Sequence, residues 1–438
     1  MSKRIMIDGM NLSLDKGTGV ATYARNLSYC LHSIGYSVEV LYGSRAAPGH
    51  SDLMKEISFF DNNAGDVPAW LAALRALKTS MYAPFGFPAT QVPFNEVVIK
   101  DTFKSRLPYY DKIWNAPDVF RKAFVSFGFF KKLHKVHIPN RPDLVHWTYP
   151  IALKVPNAVN IYTLHDLVPL RLPYTTLDNK RRYLRLVSTI AEKADHIVTV
   201  SEASRQDLIN VLKLDPARVT NTFQAVSIPD KYKNKPIDIV QQEIEGTFNL
   251  GFKDYFLFFG SIEPKKNIGR IIEAYLNAKI NTPLVIVGAQ AWKSEEELKL
   301  LFDDNIRSYI IENNEIKVKK KVIQFNYAPF PLLVSLIRGA KATIFPSLYE
   351  GFGLPALESM LLGTPVITSN TASLPEVVGD AAVSVDPYDT AALTRAIKMM
   401  DADAGLRAQL VEKGLHRAEL FSEARYMVRL QELYNRLL

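Results

Sequence analysis

The segment Glu350-Gly-Phe-Gly-Leu-Pro-Ala-Leu-Glu358 decides the fold of this chain of 438 residues. The preceding run, Lys341-Ala-Thr-Ile-Phe-Pro346, has the pattern of a short buried strand, and Pro355 can occupy the first position of a helix. Gly363 and Pro365 mark the point where that helix stops. We therefore predict a strand, a glycine-rich loop and a helix, with Glu358 on the first turn of the helix.

The start of this helix is a candidate anion site. Unpaired backbone N–H groups and the helix dipole point the same way at a helix N-terminus, and both attract an anion. Glu350 and Glu358 would repel that anion unless their carboxylates accept hydrogen bonds from hydroxyl groups beside it. A nucleoside diphosphate sugar offers both the phosphate and the hydroxyl groups.

The longer segment Phe345-Pro-Ser-Leu-Tyr-Glu-Gly-Phe-Gly-Leu-Pro355 resembles the donor-site signature of retaining glycosyltransferases of family four, which have the GT-B fold. Gly363-Thr-Pro-Val-Ile-Thr-Ser-Asn370 and Ser373-Leu-Pro-Glu-Val-Val-Gly-Asp-Ala-Ala382 extend the match. The resemblance covers the second half densely, and the first half at its opening loop and from about Pro142 onward. Within this family, the chain is similar to bacterial mannosyltransferase-like enzymes of surface polysaccharide synthesis.

This resemblance implies an α/β GT-B architecture, in which two Rossmann-like, doubly wound domains face a cleft and a C-terminal helix crosses back to the first domain. We predict an acceptor-binding domain over residues 1–228 with an insertion at about 46–140, a nucleotide-sugar-binding domain over 229–421, and the crossover helix over 422–438. Residues 221–252 lack clear periodicity and are expected to connect the domains.

Short apolar runs separated by helical stretches favour parallel sheets with helices on both faces. A helix is expected over Glu295–Asn313. The predicted strands are Arg4–Asp8, Tyr36–Tyr42, Leu144–Trp147, Asn160–Leu164, His196–Val200, Tyr255–Phe259, Pro283–Val287, Lys321–Phe325, Ala342–Phe345 and Pro365–Thr368.

The cysteine content, the N-terminus and the length of the apolar runs indicate where in the cell the protein is expected. Cys30 is the single cysteine, which excludes an internal disulfide and favours a reducing compartment. The N-terminus is too short and too charged for a signal peptide, and no apolar run approaches the roughly 18 residues that span a bilayer. We expect a cytoplasmic protein that is soluble or bound peripherally at the inner face of the plasma membrane.

The net charge of +8 is concentrated between Lys100 and Arg141, where ten Lys or Arg residues face three Asp residues. Aromatic residues are interleaved with these charges at roughly helical spacing, a pattern that suits an anionic lipid surface. A helical insertion with its aromatic side chains in the domain core is the alternative, and nucleic acid is not an expected partner.

The loop Gly260-Ser-Ile-Glu-Pro-Lys-Lys-Asn267 is a candidate diphosphate site, since a lysine and free N–H donors can reach the phosphates. The resemblance implies that Lys266 binds the leaving diphosphate. Ser261 stands where many relatives carry Arg, and Lys265 is a candidate to compensate. The alternative is an ordinary solvated loop.

In the first half, Gly17, Thr18 and Gly19 form a loop that the resemblance places against the acceptor, with Gly19 also near the donor phosphates; a bare turn would look the same. His165 and Asp166 end a predicted strand, and the resemblance puts His165 beside the transferred sugar and the acceptor. A structural histidine is the alternative. Ser201 is expected to cap the following helix.

Two further segments are candidates for the donor pocket. Gly288-Ala-Gln-Ala-Trp292 follows a buried strand and is either part of the pocket wall or a packed loop. The resemblance puts Tyr327 where relatives hold the nucleobase, largely through main-chain groups.

The resemblance implies hexose transfer with retention of configuration, by same-face attack assisted by the departing diphosphate. It assigns Glu350 to the hexose hydroxyls and Glu358 to the ribose hydroxyls, and the loop of Gly351, with the N–H groups of Phe352, Gly353 and Leu354, to the diphosphate. His165, Lys266 and Glu350 are the candidate catalytic residues.

We expect no metal site and no cofactor, with Lys266 and the helix dipole neutralising the leaving group. GDP-mannose is the favoured donor, with UDP-glucose or UDP-N-acetylglucosamine still open, and the acceptor is a glycan or a lipid-linked saccharide. A non-catalytic protein that binds glycan or membrane, and a nucleotide-sugar epimerase, are the alternatives.

Overall fold

The computed structural model describes residues 2–12, 19–44, 55–56, 59, 85–93, 107–291, 294–299, 307–312 and 315–438. Gly17, Thr18 and Trp292 lie outside these residues, as does most of the 46–140 insertion.

The first half folds around a mostly parallel sheet. Its strands are β1 (Arg4–Asp8), β2 (Ser37–Tyr42), β3 (Phe87–Pro88), β4 (Thr90–Val92), β5 (Lys112–Asn115), β6 (His134–His137), β7 (Leu144–Trp147), β8 (Leu153–Lys154), β9 (Val159–Thr163), β10 (His196–Thr199) and β11 (Val219–Asn221). The helices are α1 (Gly19–Ile34), α2 (Val119–Phe130), α3 (Val168–Arg171), α4 (Lys180–Lys193) and α5 (Glu202–Leu212). The main sheet has the order β11-β10-β9-β7-β1-β2-β5-β4, with β4 antiparallel to β5, and β3-β6-β8 form a small second sheet.

The second half repeats this plan. Its strands are β12 (Phe256–Phe259), β13 (Leu284–Val287), β14 (Arg307–Glu312), β15 (Glu315–Lys320), β16 (Val322–Phe325), β17 (Ala342–Phe345), β18 (Val366–Ser369) and β19 (Val383–Val385). The helices are α6 (Asp230–Lys233), α7 (Ile237–Phe248), α8 (Ile268–Ala278), α9 (Ser294–Leu298), α10 (Phe330–Gly339), α11 (Leu354–Leu361), α12 (Leu374–Val378), α13 (Thr390–Ala402), α14 (Ala404–Glu419) and α15 (Glu423–Leu437). The parallel sheet has the order β16-β13-β12-β17-β18-β19.

Both sheets are buried on their two faces, which explains the continuous apolar runs in their strands. In β12 and β17 every residue is buried. Strand β12 lies between β13 and β17, so the strand order reverses between β12 and β17. The loops that leave these two strands therefore diverge at a topological switch point, where open α/β sheets bind ligands.

Helix α15 crosses back onto the first domain, as predicted. It packs on α1, and the Tyr434 hydroxyl lies 2.5 Å from Nδ1 of His146, a buried residue of β7. Arg436 donates a hydrogen bond of 2.8 Å to Oγ1 of Thr220. Burial lowers the pKa of His146 to about 3, so the His146 ring is neutral in its contact with Tyr434.

The predicted fold class is confirmed, and each predicted strand is present to within one residue at each end. The domain boundaries at 228 and 421 remain a prediction. Among the described residues, no helix is long and apolar enough to cross a membrane.

Two predicted segments have a different secondary structure. Residues 221–252 are more than a connection, because α7 packs against α10 through Val240 and Ile244. They are the buried residues of this helix, whereas Ile237 and Ile239 are exposed, so its buried stripe is narrow and does not follow the apolar pattern of the sequence. The helix expected over Glu295–Asn313 ends at Leu298, and a hairpin of β14 and β15 begins at Arg307. The run Tyr309-Ile-Ile311 has the β-branched and aromatic character of a strand, which outweighed the helical spacing.

The basic and aromatic segment 100–141 is helical only in part. Residues 100–106 lie outside the described residues, Trp114 is buried in β5, and α2 covers Val119–Phe130. Phe127 of α2 is also buried, whereas Phe124 and Phe129 are 50% and 69% exposed. The alternative that placed the aromatic side chains in the core therefore holds for some of them and not for others.

Candidate active site

Lys266 and Glu350 meet where the strand order reverses. The 3-10 turn Pro264–Lys266 follows β12, and the loop after β17 carries Glu350. Nζ of Lys266 donates a hydrogen bond of 2.6 Å to Oε1 of Glu350, which also accepts one of 2.8 Å from Oγ of Ser347. The two candidate residues from distant parts of the chain thus form an ion pair at this edge of the sheet.

The lysine loop is held in place by Asn267. This residue has a φ of 63°, in the left-handed region, and its Nδ2 donates to the carbonyl oxygens of Pro346 and Pro387 at 3.0 and 2.7 Å. The loop after β12 is therefore anchored to the loop after β17. The position of Lys266 beside Glu350 follows from this anchor.

The charge of Glu350 is stabilised by its neighbours. Burial alone would raise the pKa of Glu350, but Lys266 and Lys265 outweigh it and hold the pKa below its usual value. A buried carboxylate that stays ionised is a strong hydrogen-bond acceptor. Because an ammonium group has three donors, Lys266 can keep this contact and still bind a phosphate oxygen.

Helix α11 starts at Leu354, so Pro355 takes the second helical position, one residue later than predicted. Gly353 precedes it with a φ of 107°, which favours glycine. A Cβ on Gly351 would stand 2.9 Å from the His165 carbonyl oxygen and 3.0 Å from Oδ2 of Asp166, so glycine permits the close approach of the two domains here. Phe352 is buried beside them.

Glu358 lies on the second turn of α11, one turn further than predicted, because the helix begins at Leu354. Burial raises the pKa of Glu358 to about 7. This carboxyl group therefore titrates close to neutral pH.

His165 follows β9 and faces the cleft from the first domain. Its Nε2 lies 3.0 Å from the carbonyl oxygen of Thr148, and burial lowers the pKa of His165, so the ring is neutral. A neutral ring that donates from Nε2 leaves Nδ1 as an acceptor. Tyr23 packs edge-on against the ring at 4.9 Å between centroids.

Asp166 is fixed by a hydrogen bond of 3.0 Å from the Val168 N–H to Oδ1. Beside it and His165 opens a pocket of about 190 Å³ that reaches Glu263 and Lys265 of the second domain. The candidate residues of the two domains thus share one cleft.

The remaining predicted site residues lie at exposed positions or at the starts of helices. Ser261 is exposed, and Tyr327 is 77% exposed. Gly19 begins α1, and no described atom lies within 4 Å of where its Cβ would stand. Ser201 caps α5, as expected, by accepting a hydrogen bond of 3.0 Å from the Ser204 N–H.

The contacts that hold the domains together around this cleft were not predicted from the sequence. The carboxylate of Glu376 in the second domain accepts hydrogen bonds from the N–H groups of Glu202 and Ala203 at the start of α5. The Tyr349 hydroxyl donates one of 2.6 Å to Oδ2 of Asp207, which also pairs with Arg171. Only the motif around Glu376, which extends the family signature, gave a signal in the sequence.

The sequence also contains an Asp-x-Asp triplet, Asp401-Ala-Asp403, which the prediction of a site without a metal ion did not take into account. Asp401 accepts hydrogen bonds from Lys341 and Thr282, which precede β17 and β13, so it lies at the sheet edge opposite the cleft. Asp403 caps α14. Among the described residues, no group of three or more His, Cys, Asp or Glu side chains is placed to hold a metal ion.

Two family models match the chain, "Glycosyl transferases group 1" over residues 241–417 and "Glycosyltransferase Family 4" over residues 97–221. "O-antigen chain mannosyltransferase B" of Escherichia coli is 31% identical over 60% of this chain and 66% of that protein. "Serotype-specific mannosyltransferase WbdA" of Escherichia coli is 28% identical over 63% of this chain and 34% of that protein.

Among solved structures, sucrose-phosphate synthase (tll1590) from Thermosynechococcus elongatus has a TM-score of 0.66 at 16% identity, over 99% of both chains. At that identity the likeness shows the fold alone. The chain belongs to the glycosyltransferases of family four and has the GT-B fold. Its matched region spans 66% of the first relative and 34% of the second, so their activities, substrates and partners remain proposals for this chain.

Proposed function

We propose that this protein transfers mannose from GDP-mannose, with retention of anomeric configuration, to a glycan or lipid-linked saccharide in polysaccharide or lipopolysaccharide synthesis. The observation that carries this proposal is the Lys266–Glu350 ion pair at the switch point, 2.6 Å between Nζ and Oε1. The names of the E. coli relatives support mannose as the sugar.

In the proposed mechanism, negative charge grows on the diphosphate as the bond to the sugar breaks. Lys266 and the N–H groups of Phe352, Gly353 and Leu354, with Gly351 giving access, stabilise that charge. These donors are fixed before the reaction, so little reorganisation is needed when the charge develops. The acceptor hydroxyl attacks from the same face and gives its proton to the departing diphosphate, without a metal ion.

The carboxylates hold the two sugars of the donor. Glu350 accepts hydrogen bonds from the hexose hydroxyls, and Glu358 accepts them from the ribose hydroxyls. His165 binds hydroxyls near the transferred sugar through Nδ1, with Asp166 beside it. Gly19, Ser261 and Tyr327 complete the proposed donor contacts, and Gly17 and Thr18 lie on the acceptor side.

A panel of nucleotide sugars tests this proposal. The purified protein is incubated with GDP-mannose, UDP-glucose or UDP-N-acetylglucosamine and a mannoside acceptor, and the product anomer is read by NMR. Transfer of α-mannose from GDP-mannose supports the proposal. Transfer from a UDP-sugar alone would correct the donor, epimerised donor would identify an epimerase, and no turnover of any donor would favour a non-catalytic binding protein.

We also propose that the protein works at the inner face of the plasma membrane. Phe124, Phe129 and Phe130 of α2 are 50%, 69% and 41% exposed, and Lys131 and Lys132 follow them on the surface. Exposed phenylalanines beside basic side chains suit insertion at an anionic lipid surface.

Helix α4 adds basic residues to this surface, and they lie outside the basic and aromatic segment 100–141. The Arg182 guanidinium lies 3.5 Å from the ring centroid of Phe124, and Arg181 and Arg185 line the same hollow beside Phe127. One arginine of α4 thus lies against the exposed Phe124, and two more line a hollow beside the helix that carries it.

Sedimentation with liposomes tests this surface. The protein is expected to bind vesicles with anionic lipid and not neutral vesicles, and the Phe124→Ser, Phe129→Ser double variant should lose binding. The matched control replaces Met399 and Val428, which are 42% and 54% exposed on other helices, by Ser. Equal partitioning of all three proteins would reject the membrane proposal.

A further inference from the structure

The pocket beside His165 is lined by acidic and aromatic side chains. Most of its wall comes from the first domain, and the second domain contributes Glu263 and Lys265. It adjoins the turn that carries Lys266, since Lys265 of the same turn lines it. If the proposed function is right, the second substrate lies in this pocket when it receives the sugar.

The described lining residues give the pocket a net negative charge. Three carboxylates, those of Asp166, Asp178 and Glu263, face one ammonium group, that of Lys265. His165 is neutral and adds no positive charge, because burial lowers its pKa. The formal charge of these side chains is therefore −2.

Lys265 is already neutralised by the protein. Its Nζ lies 3.6 Å from Oε1 of Glu263. Burial alone would lower the pKa of Lys265, but the carboxylates of Glu350, Glu263 and Asp166 outweigh it and raise the pKa above its ordinary value. An anionic ligand would have to compete with three carboxylates for this one cation.

Two tyrosines lie among these carboxylates. Tyr149 and Tyr183 both line the pocket, and Asp166 and Asp178 add to burial in raising the pKa of each, so the four side chains are close together. The Tyr183 hydroxyl donates a hydrogen bond of 3.0 Å to the Asp166 carbonyl oxygen. Carboxylates accept hydrogen bonds from sugar hydroxyls, and aromatic rings pack on the apolar face of a sugar.

We propose that this pocket selects a neutral saccharide end as acceptor and rejects one that carries a phosphate or a carboxylate. An anionic group in the pocket would lie against Asp166, Asp178 and Glu263 without a free cation among the described lining residues. Selection by repulsion of the wrong ligand is a common source of specificity. Asp178, which is exposed at the rim, is the specificity-determining residue that can be changed without disturbing the core.

Ligand-observed NMR tests this selectivity without a donor. The probes are methyl α-mannobioside and the same disaccharide with a 6-phosphate on its terminal residue. The neutral probe should bind at least about tenfold more tightly. Asp178→Lys should lower the ratio of the affinities for the neutral and the phosphorylated probe by about threefold or more. Asp230→Lys, at an exposed site outside the pocket, should leave this ratio unchanged.

The outcomes separate this inference from the proposed function. Equal binding of the two probes, binding of neither, or an unchanged ratio in Asp178→Lys would overturn it. A retained preference for the neutral probe together with no sugar transfer from any nucleotide sugar would refute the proposed function alone. Transfer to neutral and phosphorylated acceptors with equal kcat/KM would refute the selectivity alone.

Discussion

Glu376 of the second domain caps a helix of the first, where its Oε1 accepts a hydrogen bond of 2.9 Å from the Ala203 N–H at the start of α5. Its second oxygen accepts one of 2.8 Å from the Glu202 N–H. A carboxylate at a helix N-terminus is stabilised by free N–H donors and by the helix dipole. The two domains are thus joined beside the cleft by a contact that neither can make alone.

Glu376→Ala should therefore weaken the closed arrangement of the domains. The lost hydrogen bonds to a charged group correspond to about 1.5–3 kcal/mol, or roughly tenfold to a hundredfold in kcat/KM. Steady-state kinetics and small-angle scattering should show lower kcat/KM and a wider cleft. Glu412→Ala, at an exposed site on α14, is the control, and equal behaviour of the two variants would contradict this role.

Donor affinity should rise with pH through the titration of Glu358. Burial raises its pKa to about 7, so the carboxyl group is mostly protonated at pH 6 and mostly ionised at pH 8. The ribose hydroxyls bind better to the ionised form, and GDP-mannose should bind up to about tenfold more tightly at pH 8 than at pH 6. Calorimetry with Glu358→Gln should give a flat profile; a slope preserved in the variant would exclude Glu358 as its source.

Lys266→Ala should lower turnover more than donor affinity, since charge on the diphosphate grows towards the transition state. We expect kcat to fall about a hundredfold, corresponding to roughly 3 kcal/mol of lost stabilisation. Lys398→Ala, on the exposed face of α13, is the control. A variant with unchanged kcat and a raised KM would mean that Lys266 only binds the donor.

Removal of metal ions should leave the activity intact. Lys266 and the N–H groups at the start of α11 are proposed to neutralise the diphosphate, a task for which other enzymes use a divalent cation. Initial rates with excess EDTA should equal those with added Mg²⁺ or Mn²⁺. Loss of activity with EDTA, restored by a divalent cation, would contradict the metal-free mechanism.

The sequence was most informative where short-range patterns and the family signature agree. The buried runs of β12 and β17 predicted strands, and the glycine and proline positions around Glu350 predicted the loop and helix that follow. Strands of a parallel sheet have long apolar runs because both faces are covered. The proximity of Lys266 and Glu350 then follows from the reversal of strand order between β12 and β17.

Contacts between residues far apart in the chain could not be predicted in this way. Glu376 and Ala203 are 173 residues apart, and the local pattern around each indicates only a helix start. The local sequence does not predict the pairing of Tyr349 with Asp207 either, since its geometry depends on the packing of two domains. The misassigned segment 295–313 shows the complementary problem, in which helical spacing and strand propensity compete within one stretch.

A crystal structure with GDP-mannose bound tests the central claim most directly. The account predicts the diphosphate within hydrogen-bonding distance of Lys266 Nζ and the N–H groups of Phe352, Gly353 and Leu354. It also predicts the ribose on Glu358 and the mannose on Glu350. A nucleotide bound outside the cleft, or a bound donor that leaves both glutamates in contact with solvent only, would contradict the account.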